Sequence, residues 1–212
     1  MLIRITDLFV GASDRFSEEQ IDLFDAVMSL LAASIDASER AMLARRLVPL
    51  RKVPSKLGHQ LAAEDDIRVA GSILSRADWM DDQVLMHLVQ VKGQQHLCAI
   101  AQRKSLSEGI VAALIERAGD GALRALADNH EIAFSEMTFA KLIDRCADND
   151  ELAASVGSRP DIPHEMFKRL LGESSEVVRS KFIEANLPVR IEFSSVEPHF
   201  IFIDTGRPLL AA

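Results

Sequence analysis

The chain has 212 residues, 48% of them hydrophobic and 26% charged, with a formal net charge of −8. That acidic balance argues against general nucleic-acid binding, which draws its affinity from neutralising phosphates, and no stretch approaches the roughly 20 apolar residues that a membrane-spanning helix needs. Cys98 and Cys146 lie at apolar spacing, which predicts reduced, buried thiols in a cytoplasmic protein rather than a disulfide.

No signal peptide is expected, because Asp7 interrupts the short apolar run after Arg4. The first predicted element is a helix over residues 17–35. Ser17 and Gln20 have the spacing of a capping box and Phe16 can staple the entry. Ile21, Phe24, Val27, Met28 and Leu31 form an apolar stripe at helical spacing. This helix is expected to cover the apolar end of the first repeat, as the terminal caps of a solenoid must. A second helix starts at Asp36 or Ser38.

From there one phrase recurs: a hydrophobic residue, a helix-starting residue, then a short apolar helix. The five starts are Val53-Pro54-Ser55, Met80-Asp81-Asp82, Leu106-Ser107-Glu108, Phe134-Ser135-Glu136 and Ile162-Pro163-His164, and their first residues are 27, 26, 28 and 28 positions apart. A helix leaves its first four N–H groups without intrahelical partners. Asp81, Ser107 and Ser135 can each accept from one of them as an N-cap, whereas Pro54 and Pro163 at the first helical position have no N–H to satisfy. Apolar residues follow at constant offsets, for example Leu85, Leu88 and Val89, then Ile110, Leu114 and Ile115, then Phe139, Leu142 and Ile143. Those offsets trace one helix face.

A companion helix precedes each start and ends at an Arg or Asn: Arg46, Arg76, Arg103, Asn129, Arg159 and, after the last start, Asn186. Two short helices per unit, stacked through their apolar faces, predict an all-α, right-handed α-α superhelix of HEAT or armadillo type. It has about five two-helix repeats over residues 38–187, within a single domain over 1–187. After Pro188 the runs Val189–Phe193 and Phe200–Ile203, punctuated by Pro198, Gly206 and Pro208, predict an extended tail over 188–212. Packing over the last repeat is the favoured placement of that tail; pairing with another chain and disorder are the alternatives.

The segment from about Leu43 to Leu187 also resembles a known family. The resemblance rests on Val69-Ala70-Gly71-Ser72-Ile73-Leu74 followed by Asp81-Asp82-Gln83-Val84-Leu85, on Ala99-Ile100-Ala101-Gln102-Arg103, and on Leu106-Ser107-Glu108. Ala113-Leu114-Ile115-Glu116-Arg117, Leu126-Ala127-Asp128-Asn129 and Ser158-Arg159-Pro160-Asp161-Ile162-Pro163 complete the series. In combination these are similar to an uncharacterised bacterial domain of unknown function, the one numbered twenty-three thirty-six. The Arg/Asn-then-Pro phrasing is also similar to leucine-rich-repeat-variant and HEAT-like arrays. The resemblance implies an armadillo-type fold with no assigned reaction and no catalytic residues to carry over, and the tail after Pro188 lies outside it.

Chemical motifs are sparse. His130-Glu131 and His164-Glu165 lack the second histidine of a zinc-protease helix, and His87 before Lys92-Gly93 is spaced two residues too far for a phosphotransfer pattern. No Walker loop, dinucleotide fingerprint, nucleophile elbow or paired-cysteine cluster occurs. The expectation is a protein that is not an enzyme and holds no cofactor or metal. The basic segment 40–56 and the acidic segment 144–151 read as solvated surfaces. The Arg/Asn ladder suits the bonding of free helix carbonyls better than the holding of an acidic peptide, since Asn in place of Arg preserves no charge.

A second stripe points to binding. Three and six positions after each starting hydrophobe stand Lys56 and His59, Gln83 and Met86, Gly109 and Ala112, Met137 and Ala140, and Glu165 and Lys168. The middle three pairs are uncharged and the ends are charged, the pattern of a protein-binding patch with a polar rim. Packing of the same residues against neighbouring helices is the alternative. The functional expectation is therefore a non-enzymatic scaffold or adaptor, regulatory in signalling or otherwise. Its groove over Gln83, Met86, Gly109, Ala112, Met137 and Ala140 would hold a partner protein's helix or peptide. The alternative is a HEAT-like nucleic-acid-processing enzyme such as a base-excision glycosylase, which would need a basic surface and aromatics around an extruded base. The chain has one Trp, Trp79, and no Tyr.

Overall fold

Each recurring phrase begins a helix in the computed structural model, which describes residues 2–184. The helices after the five starts are α4 (Ser55–Ala62), α6 (Asp82–Val91), α8 (Glu108–Arg117), α10 (Glu136–Asp144) and α12 (His164–Glu173). Their companions are α3 (Ala37–Leu47), α5 (Ile67–Arg76), α7 (Gln94–Ala101), α9 (Asp120–Ala127), α11 (Asp150–Gly157) and α13 (Glu176–Glu184). No strand occurs among the described residues. Asn186 and the extended tail expected over 188–212 lie outside them.

The local chemistry of the starts differs in part from expectation. The Ser135 hydroxyl accepts from the Thr138 N–H, but Asp81 and Ser107 hold the extended N-cap conformation without a side-chain bond. Pro54 and Pro163 are N-caps rather than first helical residues. Their carbonyls accept the first bonds, from the Gly58 and Phe167 N–H groups, both at 2.9 Å. A cap that proline cannot supply comes from another helix. The buried Asp25 carboxylate of α2 (Glu18–Ala32) accepts from the Lys56 N–H at 2.7 Å and the Leu57 N–H at 2.8 Å.

The helices stack in two layers. On one side α3 packs on α5, α5 on α7, α7 on α9, α9 on α11 and α11 on α13. Fully buried alanines in successive companions, Ala44, Ala70, Ala101 and Ala127, leave room for this close stacking. On the other side α2 packs on α4, α6 on α8, α8 on α10 and α10 on α12. Trp79, in the turn between α5 and α6, packs on α4 and bonds to the end of α3. Its ring lies where a Cβ on Gly58 would come within 2.6 Å, and its indole N–H donates to the Leu47 carbonyl at 3.3 Å. One continuous core runs between the layers, and both Leu114 and Leu142 are fully buried in it. This is the all-α array of stacked helix pairs that the periodicity predicts.

The amino-terminal end is larger than predicted. An additional helix, α1 (Leu2–Ala12), and a 3-10 turn (Ser13–Arg15) precede α2. Phe9, Phe16 and Phe24 form a ring cluster with centroids 4.9–5.8 Å apart that closes α1 onto α2. The helix beginning is as expected, since Ser17 and Gln20 make the full capping box. The stripe assignment needs correction at one residue: Val27 faces outward and is 39% exposed. Met28 and Asp25 take the inward positions, so helical spacing alone placed Val27 one step too far round.

Candidate binding surface

The Arg/Asn ladder is a set of bonds between repeats. The Arg103 guanidinium, buried, donates to the Leu74 carbonyl at 3.0 Å and the Ala77 carbonyl at 2.8 Å, closing the end of α5. Asn129 Nδ2 donates to the Ala101 and Arg103 carbonyls at 2.9 and 2.6 Å, closing α7. Arg159 donates to the Ala127, Asn129 and Ile132 carbonyls at 3.0, 2.9 and 2.6 Å, closing α9, and lies 3.8 Å over the Phe134 ring. Each rung thus satisfies the orphan carbonyls one repeat earlier. Arg46 instead pairs with Asp7, and Arg76 is exposed.

The other layer has its own, unpredicted ladder. Arg117 at the end of α8 donates to the Val89 carbonyl of α6, and Arg145 after α10 donates to the Ile115 and Ala118 carbonyls at 2.6 and 3.0 Å. A sequence signal existed, because Arg117 and Arg145 both follow the last apolar residues of their helices. Both ladders thus tie each repeat to the one before it. The charged segments are similarly dispersed. In the basic stretch Arg40 pairs with Glu64 at 3.1 Å and Lys52 donates to the Phe16 carbonyl at 3.0 Å. In the acidic stretch Asp144 pairs with Arg169 and Glu151 with Arg124.

The six stripe residues lie on three successive helices of one layer. Gln83 and Met86 are on α6, Gly109 and Ala112 on α8, and Met137 and Ala140 on α10. The members three residues after the hydrophobe, Gln83, Gly109 and Met137, are exposed; Met86, Ala112 and Ala140 are half-buried. Bonds between starts and between ends fix α8 and α10 as parallel. The Ser135 hydroxyl donates to the Glu108 carboxylate at 2.6 Å, and Lys141 reaches Glu116 at 3.2 Å. Met86 and Gly109 adjoin across α6 and α8, since a Cβ on Gly109 would stand 3.6 Å from the Met86 methyl. Met137 is 69% exposed. The stripe therefore lies at the surface as three parallel rows, and its flanks in α4 and α12 are the exposed Lys56, Glu165 and Lys168.

Other chemistry-bearing groups lie apart from this surface. His96 is buried, with Nε2 at 2.9 Å from the Glu64 carbonyl. Cys146 is buried, and burial together with the Glu173 charge pushes its thiol up to about 12. No three His, Cys, Asp or Glu side chains among the described residues are grouped to hold a metal ion. No helix among them is long and apolar enough to cross a membrane.

A family model for uncharacterised proteins conserved in bacteria, DUF2336, matches residues 69–195, more than half of the chain. The chain belongs to the DUF2336 family. The DUF2336 match begins at Val69, in α5, rather than at Leu43, and it runs past Pro188 to residue 195. The shift at the start has a reason in the residues: α3 and α4 continue the helical period, but the first of the family phrases is Val69–Leu74. All six stripe residues fall within the DUF2336 match, while α1 to α4 fall outside it. Neither a curated protein nor a solved structure matches the chain.

Proposed function

We propose that the protein is a non-enzymatic, cytoplasmic adaptor whose uncharged stripe across α6, α8 and α10 docks a helix or extended peptide of a partner protein. The observation that carries this reading is Met137. A large flexible apolar side chain stands 69% exposed on the same helix as Ala140, where burial against a partner is favourable and its rotamers can adapt to the partner's shape. Ala112 and Ala140 admit a partner backbone closely, and the charged residues of α4 and α12 supply a polar rim. Affinity at such a surface concentrates in a small desolvated centre.

The test is capture of partners by the full chain and by the double variant Ala112→Glu/Ala140→Glu, with helix content checked by circular dichroism. The reading expects the variant to lose a partner that the native chain retains. Met137→Glu, at the more exposed position, serves where the double variant loses helix. An unchanged partner set with both folded variants refutes the reading.

A further inference from the structure

The array's amino-terminal end breaks the rule that a solenoid's terminal repeat presents a polar outer face. On α2 the residues opposite the buried Asp25, Met28 and Ala32 are Leu23, Ala26, Val27 and Leu30. Leu23 is 67% exposed, Leu30 76% and Val27 39%, and Ala26 is also exposed. These positions follow one another by three, one and three, a single stripe on one helix face. Glu19 continues it toward the start of the helix and Ser34 beyond its end.

We infer that this face is a dimer contact in which α2 packs against α2 of a second copy of the chain, antiparallel about a twofold axis between Ala26 and Val27. The order of residues selects this occupant and this orientation. Reversing the stripe about that axis sets Leu23 on Leu30, Ala26 on Val27 and Glu19 on Ser34, so every apolar side chain meets an apolar one. This is the self-complementarity that a twofold contact requires. A parallel pairing would set Glu19 on Glu19 and bring Glu18 and Asp22 of the two copies together, all in the first turns of α2. Like charges so placed oppose association. The second half of the helix, from Ala26 to Ala33, carries no charge, so the antiparallel arrangement keeps the two acidic ends apart. The small Ala26 beside the axis lets the helices approach. A single helix pair buries less than the roughly 1,600 Å² of a standard interface, so the dimer forms with rising concentration rather than being obligate.

The experiment is sedimentation velocity of the full chain over a wide concentration range. The native mass is expected to rise from 23.4 kDa toward twice that value, while Val27→Glu stays monomeric at concentrations about tenfold higher with an unchanged circular dichroism spectrum. Oxidative cross-linking then tests the axis. Residue 26 of the two copies would be offset by about 1.5 Å along the helices and residue 23 by about 10 Å, at 1.5 Å per residue. Ala26→Cys should therefore give a disulfide-linked dimer and Leu23→Cys should not, with the native chain as control for Cys98 and Cys146. A native chain that stays monomeric throughout, a dimer that survives Val27→Glu, or cross-linking of Leu23→Cys as efficient as that of Ala26→Cys would each overturn the inference.

Discussion

Replacing Arg159 with alanine should be among the most destabilising single changes in the chain, although Arg159 touches no proposed binding residue. Its side chain is fully buried, and it supplies donors to three carbonyls at the end of α9 and to the Asp161 carboxylate, with Nε 2.8 Å from Oδ1. Truncation leaves the Ala127, Asn129 and Ile132 carbonyls without those donors, and a buried unsatisfied group costs about 1–3 kcal/mol. It also removes the guanidinium from the Phe134 ring and strands Asp161. Water can re-solvate part of this, because Asp161 is one-third exposed. The net cost is therefore about 3–5 kcal/mol, the usual range for breaking one side of a buried ion pair. For a chain of this size that corresponds to a fall in Tm of roughly 6–20 °C. Arg159→Lys keeps the charge but not the planar fork, so it should recover only part of the loss. Thermal melts followed by circular dichroism read the magnitude, and hydrogen exchange locates it: protection should fall in α9, one repeat before the substitution. A melt unchanged within a degree or two, or a loss confined to α11 and α12, would refute the assignment of Arg159 as the closure of α9.

Leu114→Ala, at a fully buried site in α8, should cost about 2–5 kcal/mol and lower hydrogen-exchange protection in α6 and α10 as well as α8; loss in α8 alone would contradict coupling between repeats. Alkylation by iodoacetamide at pH 8 should leave Cys146 unmodified in the folded chain, because a thiol pushed up to about 12 supplies almost no thiolate there; rapid labelling at Cys146 in the native state would contradict its burial. Asp66 caps α5 and is held down to about 2 by hydrogen bonds from the Arg68 side chain and backbone N–H. Since its folded value is lowered, the contribution is present above the ordinary carboxyl range near 4 and is lost as pH falls through about 2. A carboxyl NMR titration midpoint for Asp66 near 4 would contradict that contact.

The repeat was legible because each unit restates its own boundaries. A hydrophobe and a capping residue at an interval of 26 to 28 positions mark a helix start wherever they occur, and Leu114 and Leu142 follow as core by counting from it. The rungs Arg103, Asn129 and Arg159 were legible for the same reason, as donor-rich residues at helix ends. Asp25 was not. Its role is to cap α4 from 31 and 32 residues away, and no local pattern encodes a partner that the stacking of α2 on α4 creates. Val27 was misplaced because a helix with apolar residues on two faces gives spacing arguments no way to choose the inward one. The exposure of Leu23 and Leu30 opposite the core decides it. The candidate stripe was legible as a position, three and six residues beyond each start, but its degree of exposure depended on how closely Met86 and Gly109 approach across neighbouring helices.

The most direct test of partner docking on this stripe is in-cell photo-crosslinking from a reactive residue placed at Met137, compared with the same residue at Arg124 in the opposite layer, which is also exposed. The adaptor account predicts a discrete protein adduct from position 137 that disappears in the Ala112→Glu/Ala140→Glu background and is absent from position 124. No adduct from position 137, or equal adducts from both positions, would contradict it.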